Sequence, residues 1–372
     1  MTLIEQLKQI PDPRKKRGQR YPLWLLMFLA LLGSLCGYYG YRPLAQFVKA
    51  HRRKLCRLLE LSPDTPLMPS FSTFRRMFQQ VDAQAWVDSF NVWVITHAPK
   101  LAGQLLSIDG KSIRCTAVGG NTSAQNFACL VSVYGQQAGV VQMQLMYNAK
   151  ISEIEVAKQL LTRVHQAPVL AQSFQVGFSL DALHAQVDTL SLMHTQNQHY
   201  IVGLKANQKT LFQQMQHLLA TALPLSQAQG ETEKTHGRTV TRTVWVYAAP
   251  ATMPARWATA GITRVIWVKR TGTRAGQPFE ELRCYISNWH LSAAQFLRLI
   301  QQHWQIENGL HWVKDVTLSE DDPPRRGGFA PISWAVINSF LITLVRRSSY
   351  RTLPAGILAY TNQVQQVWRW LT

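Results

Sequence analysis

The stretch that most constrains the fold is Leu105 to Arg114, LLSIDGKSIR. Its apolar residues alternate, so it reads as a strand, in which side chains two apart share a face. Asp109 stands where this run meets Gly110, which leaves a carboxylate held at the lip of a sheet. A lone Asp-Gly after a strand is ordinarily a turn. Two further acids set this one apart. A second apolar run, Gln175 to Leu180 (QVGFSL), ends in Asp181, and a long amphipathic segment from Ser292 to Val316 carries Glu307. Three carboxylates from two strand ends and one helix are what a two-metal phosphoryl-transfer site requires.

The charge balance narrows the partner. The chain has 39 Lys+Arg against 20 Asp+Glu, a net charge of +19. An excess of that size repels itself unless a polyanion neutralises it, so nucleic acid is the expected partner and an anionic membrane surface the second choice. With 47% hydrophobic and 16% charged residues the chain is globular, and 372 residues suffice for two or three domains. The five cysteines (Cys36, Cys56, Cys115, Cys129 and Cys284) are odd in number, scattered and without a C-x-x-C pair. They read as buried thiols in a reducing cytosol, not as a disulfide framework or a zinc cluster.

One segment competes with that placement. Tyr21 to Tyr41 carries no charge, Leu23 to Cys36 (LWLLMFLALLGSLC) is almost continuously apolar, and Arg14, Lys15, Lys16, Arg17 and Arg20 precede it. A membrane anchor or signal sequence has that order. The apolar part falls short of the ~20 residues needed to span, which favours a core helix and no membrane.

In chain order, residues 1–98 form a helical N-terminal domain. A basic arm (Asp12 to Gly18) is followed by the apolar helix and by a helix near Pro43 to Leu61. A short helix capped by Ser70 or Ser72 carries Arg75 and Arg76, and Ala83 to His97 supplies another. Clustered arginines on short helices suit a DNA-binding module or a solvated face equally. From Leu105 the pattern changes to strands at Leu105 to Arg114, Phe127 to Tyr134 and Val140 to Asn148, a meander. A helix from Glu153 to Val164 follows, then the strand into Asp181, a helix near His184 to Met193 and a strand from His199 to Lys205. That order gives the fold class: α/β, a ribonuclease H-like catalytic core with a mixed sheet, preceded by the helical domain. Residues 99–223 are its first part and 289–347, with the Glu307 helix, its second. Residues 224–288 are a β-rich insertion and 348–372 a closing segment. The insertion interleaves basic residues with Trp245, Tyr247, Trp257 and Trp267, a combination that grips phosphates and stacks bases, or, for the mid-strand Trp245 and Trp267, simply fills a core. Gly110-Lys111-Ser112 lacks the first glycine of a phosphate loop, so nucleotide binding is not indicated.

At 100° per residue, Glu307 and Lys314 fall ~20° apart beside a buried stripe of Leu299, Ile306, Leu310 and Val313, flanked by His303 and His311. Three readings stay open: a solvated face; zinc held by His303, Glu307 and His311; or Glu307 as a metal ligand with Lys314 on a phosphate.

Seven stretches then match a known family in order across nearly the whole chain: IPDPRKKRGQRYPL, PSFSTFRRMF, SIDGKSIR, SLDALHAQ, LKANQKTL, HGRTVTR and HWQIENGLHWVKDVTLSEDD. The chain resembles the ISAs1-type insertion-sequence transposases (H-repeat-associated proteins), DDE enzymes related to the IS4 group. The resemblance implies Asp109, Asp181 and Glu307 as the catalytic, metal-binding triad and the β-rich stretch as the family's insertion domain. It departs from the IS4 pattern at His303 and Ile300, which stand where an Arg and a Tyr precede the Glu, while Lys314 fits the Lys after it. The nearby acids Asp315, Glu320 and Asp321 keep the third ligand open.

The expected mechanism has two Mg²⁺ ions, replaceable by Mn²⁺, held ~3.5 to 4 Å apart by the three acids for in-line attack on a phosphodiester. Lys314, His303, His311, His236, Arg238, Arg14, Lys15, Lys16, Arg17, Arg75 and Arg76 are the expected DNA contacts. The substrates are then double-stranded terminal inverted repeats and target DNA, cut by a homodimer in the bacterial cytoplasm, at the nucleoid. The rivals are a decayed transposase that only binds DNA and a membrane-anchored basic protein.

Overall fold

Leu23–Leu35 is apolar on every side, and a helix of that kind must be buried on every side. In the computed structural model of the chain it forms α2, with every residue but Trp24 buried. Residues 2–62, 64–97, 105–119, 126–135, 140–148, 152–166, 177–235, 237–304, 306–322, 327–348, 350 and 352–372 are described. Among them no helix is long and apolar enough to cross a membrane. α2 is instead packed among α1 (Leu3–Lys8), α3 (Tyr41–Leu58) and α4 (Phe71–Gln80), with α5 (Ala83–His97) in the same core. A side chain at Gly33 would meet Leu44 and Phe47 of α3 at 2.8 and 2.9 Å, so the glycine sets how closely these two helices cross. Ser70 caps α4, its hydroxyl accepting from the Thr73 N–H.

β1 (Leu105–Val118), β2 (Asn126–Gly135) and β3 (Val140–Asn148) form an antiparallel meander. After α6 (Glu153–Gln166), β4 (Gly177–Leu180) pairs parallel with β1; α7 (Val187–Thr195) and β5 (His199–Leu204) come next, β5 parallel to β4. The order β3-β2-β1-β4-β5 is the ribonuclease H-like arrangement expected from the sequence. The β-rich stretch after α8 (Lys209–Thr221) joins this same sheet. It supplies β6 (Ser226–Gln229), β7 (Glu233–Thr235), β8 (Arg238–Ala248), β9 (Arg264–Arg274) and β10 (Gln277–Ser287), and β10 pairs antiparallel with β5. Trp257 and Trp267 are buried in its core and Trp245 is half-buried against it, the core-filling outcome for Trp267.

α6, α7 and α8 cover one face of the sheet. α9 (Ala293–His303) covers the other, packing Phe296, Leu297 and Ile300 on Val244, Val246, Ile266 and Val268. Each such side chain taken from water contributes about 1.5–3 kcal/mol, which fixes α9 over the strand ends. The last long helix, α10 (Ala330–Arg347), is buried among the N-terminal helices and reaches β1 and β3; α11 (Leu353–Tyr360) and α12 (Val364–Leu371) close the chain.

Candidate active site

The register of the parallel pair decides where the first two acids go. Ile108 of β1 lies opposite Leu180 of β4, so Asp109 and Asp181, each one residue further on, stand at the same level where this pairing stops. β4 ends there, but β1 runs on to Val118 beside β2, so Asp109 is a mid-strand residue and not the strand end expected from its Asp-Gly step. Asp109 is fixed by its own backbone, Oδ1 accepting from the Gly110 N–H at 2.9 Å. Burial pushes its carboxyl up to about 8, and the charges of Glu307, Asp181 and Glu153 push the same way against the Gly110 hydrogen bond. Asp181 is exposed, and His303 beside it, with Nε2 at 3.6 Å from Oδ1, holds its carboxyl below the usual range.

Glu307 comes from a distant segment that is not α-helical. After α9, Glu307–His311 and Val313–Thr317 are two π-helical turns, closed by i→i+5 bonds such as Trp312 N–H to the Glu307 carbonyl. Such turns concentrate at functional sites. Here they bring Glu307 and His311 onto Asp109: ligand atoms of the three lie within 4.8 Å of one another. Asp181 is not in that trio, though its charge acts on Asp109.

The extra residue in each turn also rotates the side chains beyond it. A phase counted at 100° per residue sets Lys314 beside Glu307 at the edge of the core, but Lys314 is fully buried, its Nζ 3.7 Å from Glu320 Oε1, and burial lowers its pKa. Glu320 is also buried and accepts from Asn338 Nδ2 at 2.9 Å. Lys111 is held by Asp315 at 2.5 Å and Asp321 at 3.3 Å; burial opposes its charge, but Asp315 leads the acids that raise its pKa. The three other acids near Glu307 thus each face a lysine.

The two histidines separate. His303 turns to Asp181, while buried His311 sets Nδ1 3.4 Å from Asp109 Oδ2. Burial, with Lys314 and Lys111 nearby, pushes His311 down to about 3, so it is neutral, and its Nε2 has no hydrogen-bond partner among the described residues. A neutral imidazole is the metal-binding form, and a crowd of carboxylates with a raised pKa is what a divalent cation relieves. Two carboxylates and a neutral imidazole are a donor set that fits a divalent metal ion.

Three features escaped sequence reasoning. Ser107 and Ser179, each two residues before an aspartate, are buried and bonded at 2.9 Å; Ser179 Oγ also lies 2.9 Å from His303 Nδ1 and orients the imidazole. Glu153, on the first turn of α6, lies 3.2 Å from buried His184 and against Gly110, where a Cβ would sit 2.6 Å from its Oε2. The S-x-D spacing was the available signal for the serines; Glu153 had none. The third is a cleft of about 540 Å³ opening from Asp181, bordered by Lys205, Phe212, Arg283, His303 and Trp304.

The other expected DNA contacts lie apart. Arg238 sits on β8 with its guanidinium 5.6 Å from the Phe279 ring; His236 lies outside the described residues. Lys15, Lys16, Arg17, Arg75 and Arg76 are exposed in the N-terminal region. Arg14 is not: it is buried and chelated by Asp12 at 2.7 and 2.8 Å.

A family model described as Transposase DDE domain matches residues 101–328, and one described as DDE_Tnp_1-associated matches residues 4–94. The chain belongs to the DDE transposase family. This DDE transposase is 26% identical over 356 residues to "Putative transposase YncI" of Escherichia coli O157:H7, covering 93% of this chain and 87% of that protein. It is 22% identical over 365 residues to "H repeat-associated putative transposase YhhI" of Escherichia coli strain K12, covering 95% and 92%. Both agree with the resemblance carried by the sequence motifs. A piggyBac transposase synaptic complex with hairpin DNA is similar at a TM-score of 0.43 and 9% identity, covering 98% of this chain and 78% of that one.

Proposed function

We propose that this transposase cuts DNA at the ends of an insertion sequence and joins it to target DNA by metal-dependent in-line phosphoryl transfer. The observation that carries the reading is the convergence of Asp109, Glu307 and His311 to within 4.8 Å, beside the strand end that bears Asp181. Bound there, divalent cations (Mg²⁺, with Mn²⁺ as a substitute) supply Lewis acidity toward the attacking and leaving oxygens. The chain supplies position and charge. Gly110 N–H aims Asp109, the Ser179–His303 contact steadies Asp181, and the π-turns present Glu307. Lys205 and Arg283, at the cleft opening from Asp181, hold the phosphates next to the scissile one. Two ends must be cut together, so the active form is a dimer on duplex DNA.

The test is cleavage of a labelled terminal-repeat duplex with Mg²⁺ present or chelated. Cleavage is expected only with metal, and Asp109→Asn is expected to keep end binding and lose cleavage. Metal-independent cleavage, or cleavage by Asp109→Asn, overturns the reading; binding with no cleavage under any metal leaves a DNA-binding protein without catalysis.

A further inference from the structure

The basic arm is not a loose tail. Arg14, buried, is clamped by Asp12, and its Nη2 donates to the Tyr21 carbonyl at 2.8 Å. Gln19 Nε2 donates to the Arg14 carbonyl at 2.7 Å, and the Tyr21 hydroxyl donates to the Pro66 carbonyl at 3.0 Å. These bonds fold residues 12–21 into a hook against the segment leading into α4. Between hook and helix lies a cleft of about 630 Å³. Lys15, Arg17 and Arg20 line it from the hook and Arg76 from α4, with the Ser70 and Thr73 hydroxyls also in its wall; none of its lining residues is acidic.

Arg14 is neutralised by Asp12, but Lys15, Arg17, Arg20 and Arg76 have no ion pair among the described residues. Four like charges around one concavity repel each other, and the internal Asp12–Arg14 clamp holds the hook in place in spite of it. The arrangement matches a run of phosphates: cations spaced along a groove, hydroxyl donors in its wall, and no acid to repel an anion.

We propose that this cleft is a clamp for the sugar-phosphate backbone of duplex DNA, outside the cleavage site and indifferent to base sequence. The choice of DNA as its occupant rests on the reading of the protein as a DNA-cutting transposase. The clamp supplies general affinity, and recognition of the element's ends lies elsewhere in the molecule.

The test measures binding of full-length protein, with metal chelated, to a random-sequence duplex across a salt series by fluorescence anisotropy. In Arg17→Gln/Arg20→Gln/Arg76→Gln, affinity for random and terminal-repeat duplexes is expected to fall together, ten-fold or more at 100 mM salt. The slope of log K on log salt should shrink by about 2 to 3, since each lost phosphate contact removes about 0.9. A control, Arg369→Gln at the exposed C-terminal helix, should change neither. An unchanged slope in the triple variant, or loss confined to terminal-repeat DNA, overturns the clamp. So does tighter binding to phosphatidylserine–phosphatidylcholine vesicles than to DNA, with the vesicle binding lost in the triple variant. The two ideas fail separately: the clamp is judged on binding with metal chelated, and the cleavage reading on metal-dependent cleavage by the wild-type protein.

Discussion

Replacing Lys314 by Met separates two roles for this residue. As a phosphate contact at the edge of the core, which its spacing from Glu307 suggests, Lys314→Met would weaken DNA binding and leave the fold untouched. As placed in the structure, Lys314 and Glu320 are a buried pair 3.7 Å apart. Removing one member of such a pair strands the other charge in a low-dielectric interior and costs about 3–5 kcal/mol. An unfolding entropy of about 2.1 cal/mol/K per residue gives about 0.8 kcal/mol/K for 372 residues, so the midpoint should fall by about 4–6 °C if the chain unfolds as one unit. Adding Glu320→Gln removes the stranded charge and leaves an acceptor for Asn338 Nδ2, which the glutamate now satisfies at 2.9 Å. The double variant should therefore recover about 2 kcal/mol or more relative to the single one. The assay is calorimetric unfolding of wild type, both single variants and the double, with DNA binding measured across salt in parallel. A Lys314→Met midpoint within about 1 °C of wild type, joined to a salt slope lower by about 0.9, would refute the buried-pair argument.

The proposed cation site can be tested in three ways. The Asp109 carboxyl is pushed up to about 8 from an unfolded value of about 4, so its contribution to stability in metal-free protein is full below pH 4 and is lost as pH rises toward 8. Melting of wild type against Asp109→Asn across that window should show the variant gaining on wild type as pH rises, and saturating Mn²⁺ should stabilise wild type only. Gly110→Ala places a Cβ 2.6 Å from Glu153 Oε2 and should destabilise the protein by about 1–3 kcal/mol, read as a lower melting midpoint. Ser179→Ala removes the hydroxyl that orients His303 and should weaken Mn²⁺ binding by calorimetric titration while leaving random-duplex affinity unchanged.

Much of the frame was legible in the chain because it is local. The strand into Asp109, the meander through Asn148 and the strand into Asp181 announce themselves through alternation and glycine punctuation, and the ribonuclease H-like order comes from their succession. The apolar run of α2 was legible as buried from its length alone, about 20 Å of helix against a membrane core of about 30 Å. What the β-rich stretch does with its edges was not written there: β10 pairs with β5 and extends the core sheet, a long-range choice that its own pattern does not encode.

At the site, sequence determined the chemistry on offer and tertiary structure determined who meets whom. Asp109 and Asp181 stand out in a basic chain as acids following apolar runs and Glu307 as an acid on an amphipathic segment, but only the Ile108–Leu180 register and the π-turns decide that His311 joins Asp109 and Glu307 while His303 goes to Asp181. Asp315, Glu320 and Asp321 kept the third ligand open beside Glu307 in the sequence; in the fold each of them faces a lysine. Glu153 meets His184, and Arg14 turns inward to Asp12, for the same reason. Periodicity belongs to the backbone and can be read along the chain. The partner of a buried charge is fixed by desolvation, which acts only after distant faces have closed on one another.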